Sequence, residues 1–215
     1  MVAALADETE VCLHLDPDRN GVMWNWNQAV QCVNSDVAAG TDDWHFIVQD
    51  DMIPYTGWQD HLRRATLYSP ARMLGLVWVG VSWNHGGAMR VPYMTGPYAL
   101  RGGAIAYHRS LFPDFARFAE YACQTDYPND DIAAAIYLQA VRGEEPALTS
   151  HTLFDSPRVK SMLRHATYDT GEHTLETMGT LPWSVKPRSI RVNNGARKAD
   201  VRQLLGQMKK LGWTR

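Results

Sequence analysis

Residues 44–51, Trp-His-Phe-Ile-Val-Gln-Asp-Asp, constrain this chain more than any other stretch. A short apolar run bounded by polar residues fits a buried strand, and this one delivers two adjacent carboxylates, Asp50 and Asp51, to its end. Ligands of open α/β sheets bind beyond the carboxyl ends of strands, so the placement points to a metal or ligand site. The plainer reading is a solvated turn that opens before Pro54 and Gly57. The rest of the chain decides between them.

At 215 residues, with 45% hydrophobic content, the chain is long enough for one domain with a sizeable core and room for an appendage. No apolar run reaches the roughly 18 residues of a membrane span, and no basic segment precedes an apolar one at the N-terminus. A soluble, cytoplasmic protein without a membrane partner is the expectation. Cys12, Cys32 and Cys123 lack metal-type spacing and are odd in number, so they read as small buried apolar residues. The net charge of −2 hides an asymmetry: residues 183–215 hold nine basic residues against Asp200, a charge of +8, which leaves −10 on residues 1–182. A basic tail on an acidic body suits a polyanion such as nucleic acid, or else pairs with its own body or keeps it soluble.

Val11 to Leu15 reads as a strand ending at Asp16-Pro17, followed by a helix over Trp24–Val33 and the strand that ends at Asp51. Thr56 and Gln59 have capping-box spacing, Trp58, Leu62 and Ala65 share a helical face, and Pro70 stops that helix. Met73–Trp83 predicts a further strand. Gly102-Gly103 precede a short strand over Ala104–Tyr107. That glycine pair either lets the backbone approach a ligand or marks a bulge. Pro113 suits the start of a helix through Tyr121. Asn129 can cap a helix over Asp130–Arg142 that Gly143 ends. Ala147–Ser150 then delivers His151. Residues 158–198 read as loops, and Val201, Leu204, Leu205, Met208 and Leu211 mark one face of a closing amphipathic helix. Trp24, Trp26, Trp78 and Trp83 read as core packing. The other histidines read as surface or satisfied core residues rather than ligands.

Four features occur in order: Asp50-Asp51 at a strand end, Gly102-Gly103, Asp130-Asp131 at a helix start, and His151 after a short strand. Together they resemble the nucleotide-sugar glycosyltransferases of the GT-A fold, and residues 11–155 carry the resemblance. It implies an α/β, Rossmann-related mixed sheet flanked by helices, from which this chain departs in that its first β-α unit reads as lacking or very short. The core would be residues 1–157, and residues 158–215 a loop-rich basic extension. It further implies that Asp51 and His151 hold a divalent metal, Mn²⁺ or Mg²⁺, and that Asp131, beside Asp130, is the catalytic base. Asp50, Gly102 and Gly103 would border the substrate. Asp16 would meet the base or ribose of the nucleotide, unless it only forms the turn before Pro17.

The residue types suit that chemistry. A divalent cation on pyrophosphate oxygens stabilises the charge that develops on a nucleoside-diphosphate leaving group. A carboxylate near the acceptor hydroxyl can take its proton, an effect commonly worth about 10²–10⁴-fold. The plainer role of Asp130 and Asp131 is a favourable charge interaction at a helix start, about 0.3–1 kcal/mol, and it is compatible with the first. The chain is also similar to small phage-encoded transferases that glycosylate hydroxymethylated pyrimidines in DNA. That resemblance implies a UDP-linked donor and a DNA acceptor gripped by Lys186, Arg188, Arg191, Arg197, Lys198, Arg202, Lys209 and Lys210. A base buried in duplex would also have to be flipped out to react. The rivals are a protein or glycan acceptor, a catalytically silent nucleic-acid-binding protein, and a metal-dependent hydrolase.

Overall fold

The computed structural model describes residues 18, 20–40, 43–49, 52–55, 57–69, 71–77, 93–95, 100, 103–149, 153–155 and 194–214. The expected strand over Val11–Leu15, the outer part of Met73–Trp83, Trp78 and Trp83, and residues 158–193 of the loops expected over 158–198 lie outside them; residues 194–198 are helical instead, because the closing helix begins at Asn194, seven residues before its apolar stripe. Helix α1 spans Val22–Ala39, then come strands β1 (Trp44–Val48) and β2 (Ile53–Pro54), helix α2 (Trp58–Tyr68), and strands β3 (Met73–Gly75), β4 (Tyr93–Thr95) and β5 (Ala104–His108). Helix α3 (Asp114–Ala122) and helix α4 (Asp130–Ile136) follow. A π-helical stretch, Tyr137–Arg142, prolongs α4 before β6 (Ala147–Thr149), β7 (Phe154–Asp155) and helix α5 (Asn194–Lys210). This is a mixed α/β architecture.

Five strands form one mixed sheet in the order β1-β5-β3-β6-β4. Strand β5 runs antiparallel to both β1 and β3, and β3 runs parallel to β6. Strands β1, β3 and β6 therefore point the same way. Their carboxyl ends and the amino end of β5 share one edge. A second, two-stranded ladder pairs Ile53 with Asp155 and Pro54 with Phe154.

The period of two along β5 divides the core. Ile105 and Tyr107 pack on one face with α1, α3, α4 and α5, through Trp26, Val30, Phe115, Phe118, Leu138, Leu204 and Met208. Ala104 and Ala106 pack on the other with Trp58, Ala65 and Phe154. Small residues on that side let Trp58 of α2 lie close to the sheet. Phe115 is the hub of the larger face, its ring 5.1 Å from Tyr107, 4.9 Å from Tyr137 and 5.6 Å from Trp26. Each fully buried aromatic or aliphatic side chain there contributes about 1.5–3 kcal/mol.

Several local expectations change. Strand β1 is half-buried along its length rather than enclosed, because among the described residues β5 is its one sheet neighbour. Helix α1 begins before Trp24 and runs past Val33, since nothing stops it until Gly40 adopts a left-handed φ of 83° and donates its N–H to Val37. Gly57, at φ 78°, takes the N-cap position of α2, so Thr56 and Gln59 do not frame the helix start as a capping box. Asn129 stands at the N-cap of α4 without a side-chain cap bond. Cys32, on α1, and Cys123, at the C-cap of α3, form no disulfide and are only partly buried rather than enclosed; Cys12 lies outside the described residues.

Candidate functional site

The site is assembled where β1 ends, β5 begins and α4 starts. Gln49, the residue after β1, donates its backbone N–H to the Gly103 carbonyl at 2.6 Å, and its own carbonyl accepts from Met52 N–H at 3.1 Å. The chain is thus pinned on both sides of Asp50-Asp51, which themselves lie outside the described residues. Gly103 lies close under two flexible side chains: a Cβ would stand 2.3 Å from Gln49 Oε1, 2.6 Å from its Cδ and 2.7 Å from Met52 Cε, so any larger residue would have to push those side-chain ends aside. Real Cβ atoms do not come that close to a neighbour. The close approach anticipated for the glycine pair is therefore, at Gly103, an approach to Gln49.

Across this seam lies the acid pair. The Gln49 side chain lies near the carboxyl of Asp130. Burial is the largest influence on that carboxyl and pushes it up, and the adjacent Asp131 charge pushes it further. Hydrogen bonds from the backbone of Asp131 and Asp130, and the nearby Gln49 side chain, pull it back, and the net pKa is raised to about 6. Asp130 keeps a partly open surface even though protein atoms crowd its carboxyl. Asp131 Oδ1 accepts the N–H of Ile132 at 2.6 Å. Beneath the pair, Tyr107 is fully buried, its hydroxyl 3.5 Å from the Trp26 indole nitrogen. Burial, then the charges of Asp130 and Asp131, hold that phenol far above its ordinary range. On the far side of Asp131, the buried Tyr127 hydroxyl faces Asp200 of α5 and Asn129 without a hydrogen bond of normal length.

Among the residues expected to act, Gly103 packs against Gln49, and Asp130 and Asp131 adjoin each other at the start of α4 near it. Asp16, Asp50, Asp51, Gly102, His151, Lys186, Arg188 and Arg191 lie outside the described residues. The flanks of two of them are nevertheless tied: Tyr55 N–H donates to the Leu153 carbonyl at 3.0 Å, and Leu153 N–H donates to Leu76 at 2.8 Å. The segments that hold Tyr55 and Leu153 therefore meet beside the end of β3. Among the described residues, no group of three or more His, Cys, Asp or Glu is arranged to hold a metal. Lys198, Arg202, Lys209 and Lys210 are exposed on α5, and Arg197 belongs to the same helix. Lys198, Arg202 and Lys209 stand at i, i+4 and i+11, within about 40° of one another at 3.6 residues per turn.

Sequence reasoning passed over Gln49 and Tyr107. Gln49 reads only as a variant letter in an acidic motif, although its place between strand and acids was a signal. Tyr107 is flagged by nothing except the alternation of β5. Compared with known proteins, the chain matches no family model and no curated relative. Among the described residues, no helix is long and apolar enough to cross a membrane.

Proposed function

We propose that the chain is a metal-dependent GT-A-type glycosyltransferase that moves a sugar from a UDP-linked donor to an acceptor hydroxyl with inversion. The observation that carries this reading is the seam itself: β1 ends at Gln49 against the Gly103 carbonyl, beside an acid pair in which burial raises Asp130 to a pKa of about 6. A carboxyl poised near neutrality suits proton transfer. We assign Asp131 as base, with the raised carboxyl of Asp130 beside it. The acceptor O–H gives its proton to Asp131 as the oxygen bonds to the anomeric carbon, and the bond to the leaving phosphate breaks on the opposite face of the sugar.

Asp51 and His151 are the residues that would hold Mn²⁺ or Mg²⁺. The ladder joining their flanking strands, β2 and β7, favours this fit. When bound, the cation supplies Lewis-acid stabilisation of the departing diphosphate. For the acceptor we favour a hydroxymethylated pyrimidine in DNA, supported by the exposed basic stripe of α5.

The test is thermal stability against nucleotide sugars with Mn²⁺, Mg²⁺ or chelator, followed by transfer assays. We expect a metal-dependent rise with one UDP-sugar, because a ligand that binds the folded state stabilises it by mass action. Asp51→Ala and Asp131→Ala should each abolish transfer while staying folded. Full turnover by either variant would sink the role given to that residue. No shift with any donor, together with tight salt-sensitive DNA binding, would favour the silent nucleic-acid-binding alternative.

A further inference from the structure

We propose that His108 is an acid-sensitive latch: its neutral imidazole holds the turn between β5 and α3 in place, and protonation releases that turn. The Ser110 backbone N–H donates to His108 Nδ1 at 3.2 Å, and the Ser110 hydroxyl lies 2.8 Å from the same nitrogen. A backbone amide can only donate, so Nδ1 carries no proton in this arrangement and the proton of the ring sits on Nε2. The hydroxyl then donates to Nδ1 while it accepts from Arg72 Nη1 at 3.3 Å. Arg72 is held in turn by Glu144, with Nε 2.7 Å from Oε2 and Nη2 on Oε1. His108 is therefore the N-cap of the 3₁₀ turn Arg109–Leu111, fixed from behind by an ion pair.

That turn is a junction. His108 N–H donates to the Arg72 carbonyl and Arg109 N–H to the Asp43 carbonyl, which ties it to the residues that open β3 and β1. Leu111 is fully buried in the cluster of Phe112 and Phe115, and its carbonyl accepts from the Tyr137 hydroxyl at 3.3 Å. A proton on Nδ1 would face the Ser110 N–H with a second donor and leave that amide without its acceptor. The charged groups around the ring are Asp43 before β1, Arg72 before β3 and Arg109 of the turn, and the Trp44 ring of β1 stands edge-on at 5.2 Å. Partial burial is the largest influence and opposes the imidazolium; Asp43 favours it, and Arg72 and Arg109 oppose it, so His108 ionises below the ordinary 6.5. A base lowered in this way contributes stability that is complete above 6.5 and lost as pH falls from there through its folded value. The latch closes the end of β5 opposite to the candidate site and does not depend on the function proposed above.

The experiment is NMR on the labelled full chain between pH 7.5 and pH 4.5, with the His108 signals assigned by His108→Asn. Imidazole nitrogen shifts at pH 7.5 should show a bare Nδ1 and a protonated Nε2. Asparagine Oδ1 can replace Nδ1 as the cap acceptor and does not titrate. The Ser110 amide should therefore exchange with solvent equally fast in the natural chain and in His108→Asn at pH 7.5. At pH 4.5 it should exchange about fivefold faster in the natural chain, the loss of one hydrogen bond. His108→Ala, which has no acceptor, should show the faster exchange at both pH values. Melting temperatures establish that each variant is folded, and should His108→Asn fail, His108→Gln supplies the assignment and the tautomer and titration of the natural chain decide. A proton on Nδ1 at pH 7.5, a His108 titration at or above 6.5, or a Ser110 exchange rate that still matches His108→Asn at pH 4.5 overturns the proposal.

Discussion

Asp130 opposes the stability of its own fold at neutral pH. Its folded pKa of about 6 exceeds the ordinary 3.8, so between those values the folded chain holds a proton that the unfolded chain has lost. Such a group contributes stability in full at acid pH and loses it as pH rises through about 6. Asp130→Asn should therefore stabilise the protein at pH 8 by about 1–2 kcal/mol, after allowance for the partly open surface of the residue. The gain should shrink toward zero near pH 4. Urea unfolding at the two pH values checks this, and a difference that does not change with pH would mean that the carboxyl is not desolvated. A strained charge of this kind is what a site residue costs its scaffold. The acid pair was legible in the sequence because adjacent carboxylates at an element boundary are uncommon in a core and demand a reason. Gln49 was not, because an amide carries no charge to announce it. Its significance depends on where Gly103, more than fifty residues away, brings its backbone.

At the scale of elements, α5 shows how pattern and packing divide the work. The spacing of Val201, Leu204, Leu205 and Met208 predicts a core-facing stripe, and Leu204 and Met208 are fully buried against α3 and α4, in the same cluster as Phe118 and Leu138. Leu211 leaves the stripe, at 45% exposure, because the helix ends one residue earlier. Gly212, at φ 91°, and Trp213 close it, with Gly212 N–H donating to the Lys209 carbonyl and Trp213 N–H to the Met208 carbonyl. Trp213 then folds back onto Phe118, ring centroids 6.0 Å apart. Leu204→Ala should cost about 2–5 kcal/mol of unfolding free energy, through reduced burial and the cavity it leaves. Leu211→Ala should cost no more than about 0.5 kcal/mol. Equal effects would mean that the helix is not docked on the core. Elsewhere the positions of α3, β5 and the helix from Asp130 to Arg142 were legible because Pro113, Gly103, Asn129 and Gly143 punctuate them. The starts of α1 and α2 were not, since glycines in unusual backbone conformations set them rather than side-chain caps. Nor does hydrophobic spacing show that Tyr137–Arg142 widens into a π-helical turn, a change in hydrogen bonding that leaves the buried face almost the same.

The whole molecule separates its charges by position as well as by sequence. The acid pair stands at the sheet edge, and α5, packed on α3 and α4, carries exposed Lys198, Arg202 and Lys209 along one stripe. Asp200, on the same helix, faces Tyr127, which in turn feels the charge of Asp131. The basic stripe and the acid pair are therefore mounted on adjoining elements, an arrangement that suits a polyanionic acceptor approaching a proton-accepting site. Lysine and arginine side chains that grip phosphates displace condensed counterions, so log K for duplex DNA should fall linearly with log salt, with a slope of about 0.9 per phosphate neutralised. Changing Lys198, Arg202 and Lys209 together to glutamine should flatten that slope by about one for each phosphate no longer gripped, and weaken binding uniformly across sequences. Arg64→Gln is the matched control, since Arg64 is exposed on α2, on the opposite face of the sheet. Fluorescence anisotropy over a salt series separates the outcomes. A slope reduced in the triple variant and unchanged in the control assigns the phosphate track to α5. A slope unchanged in both removes α5 from the DNA interface and, with it, the structural support for a DNA acceptor.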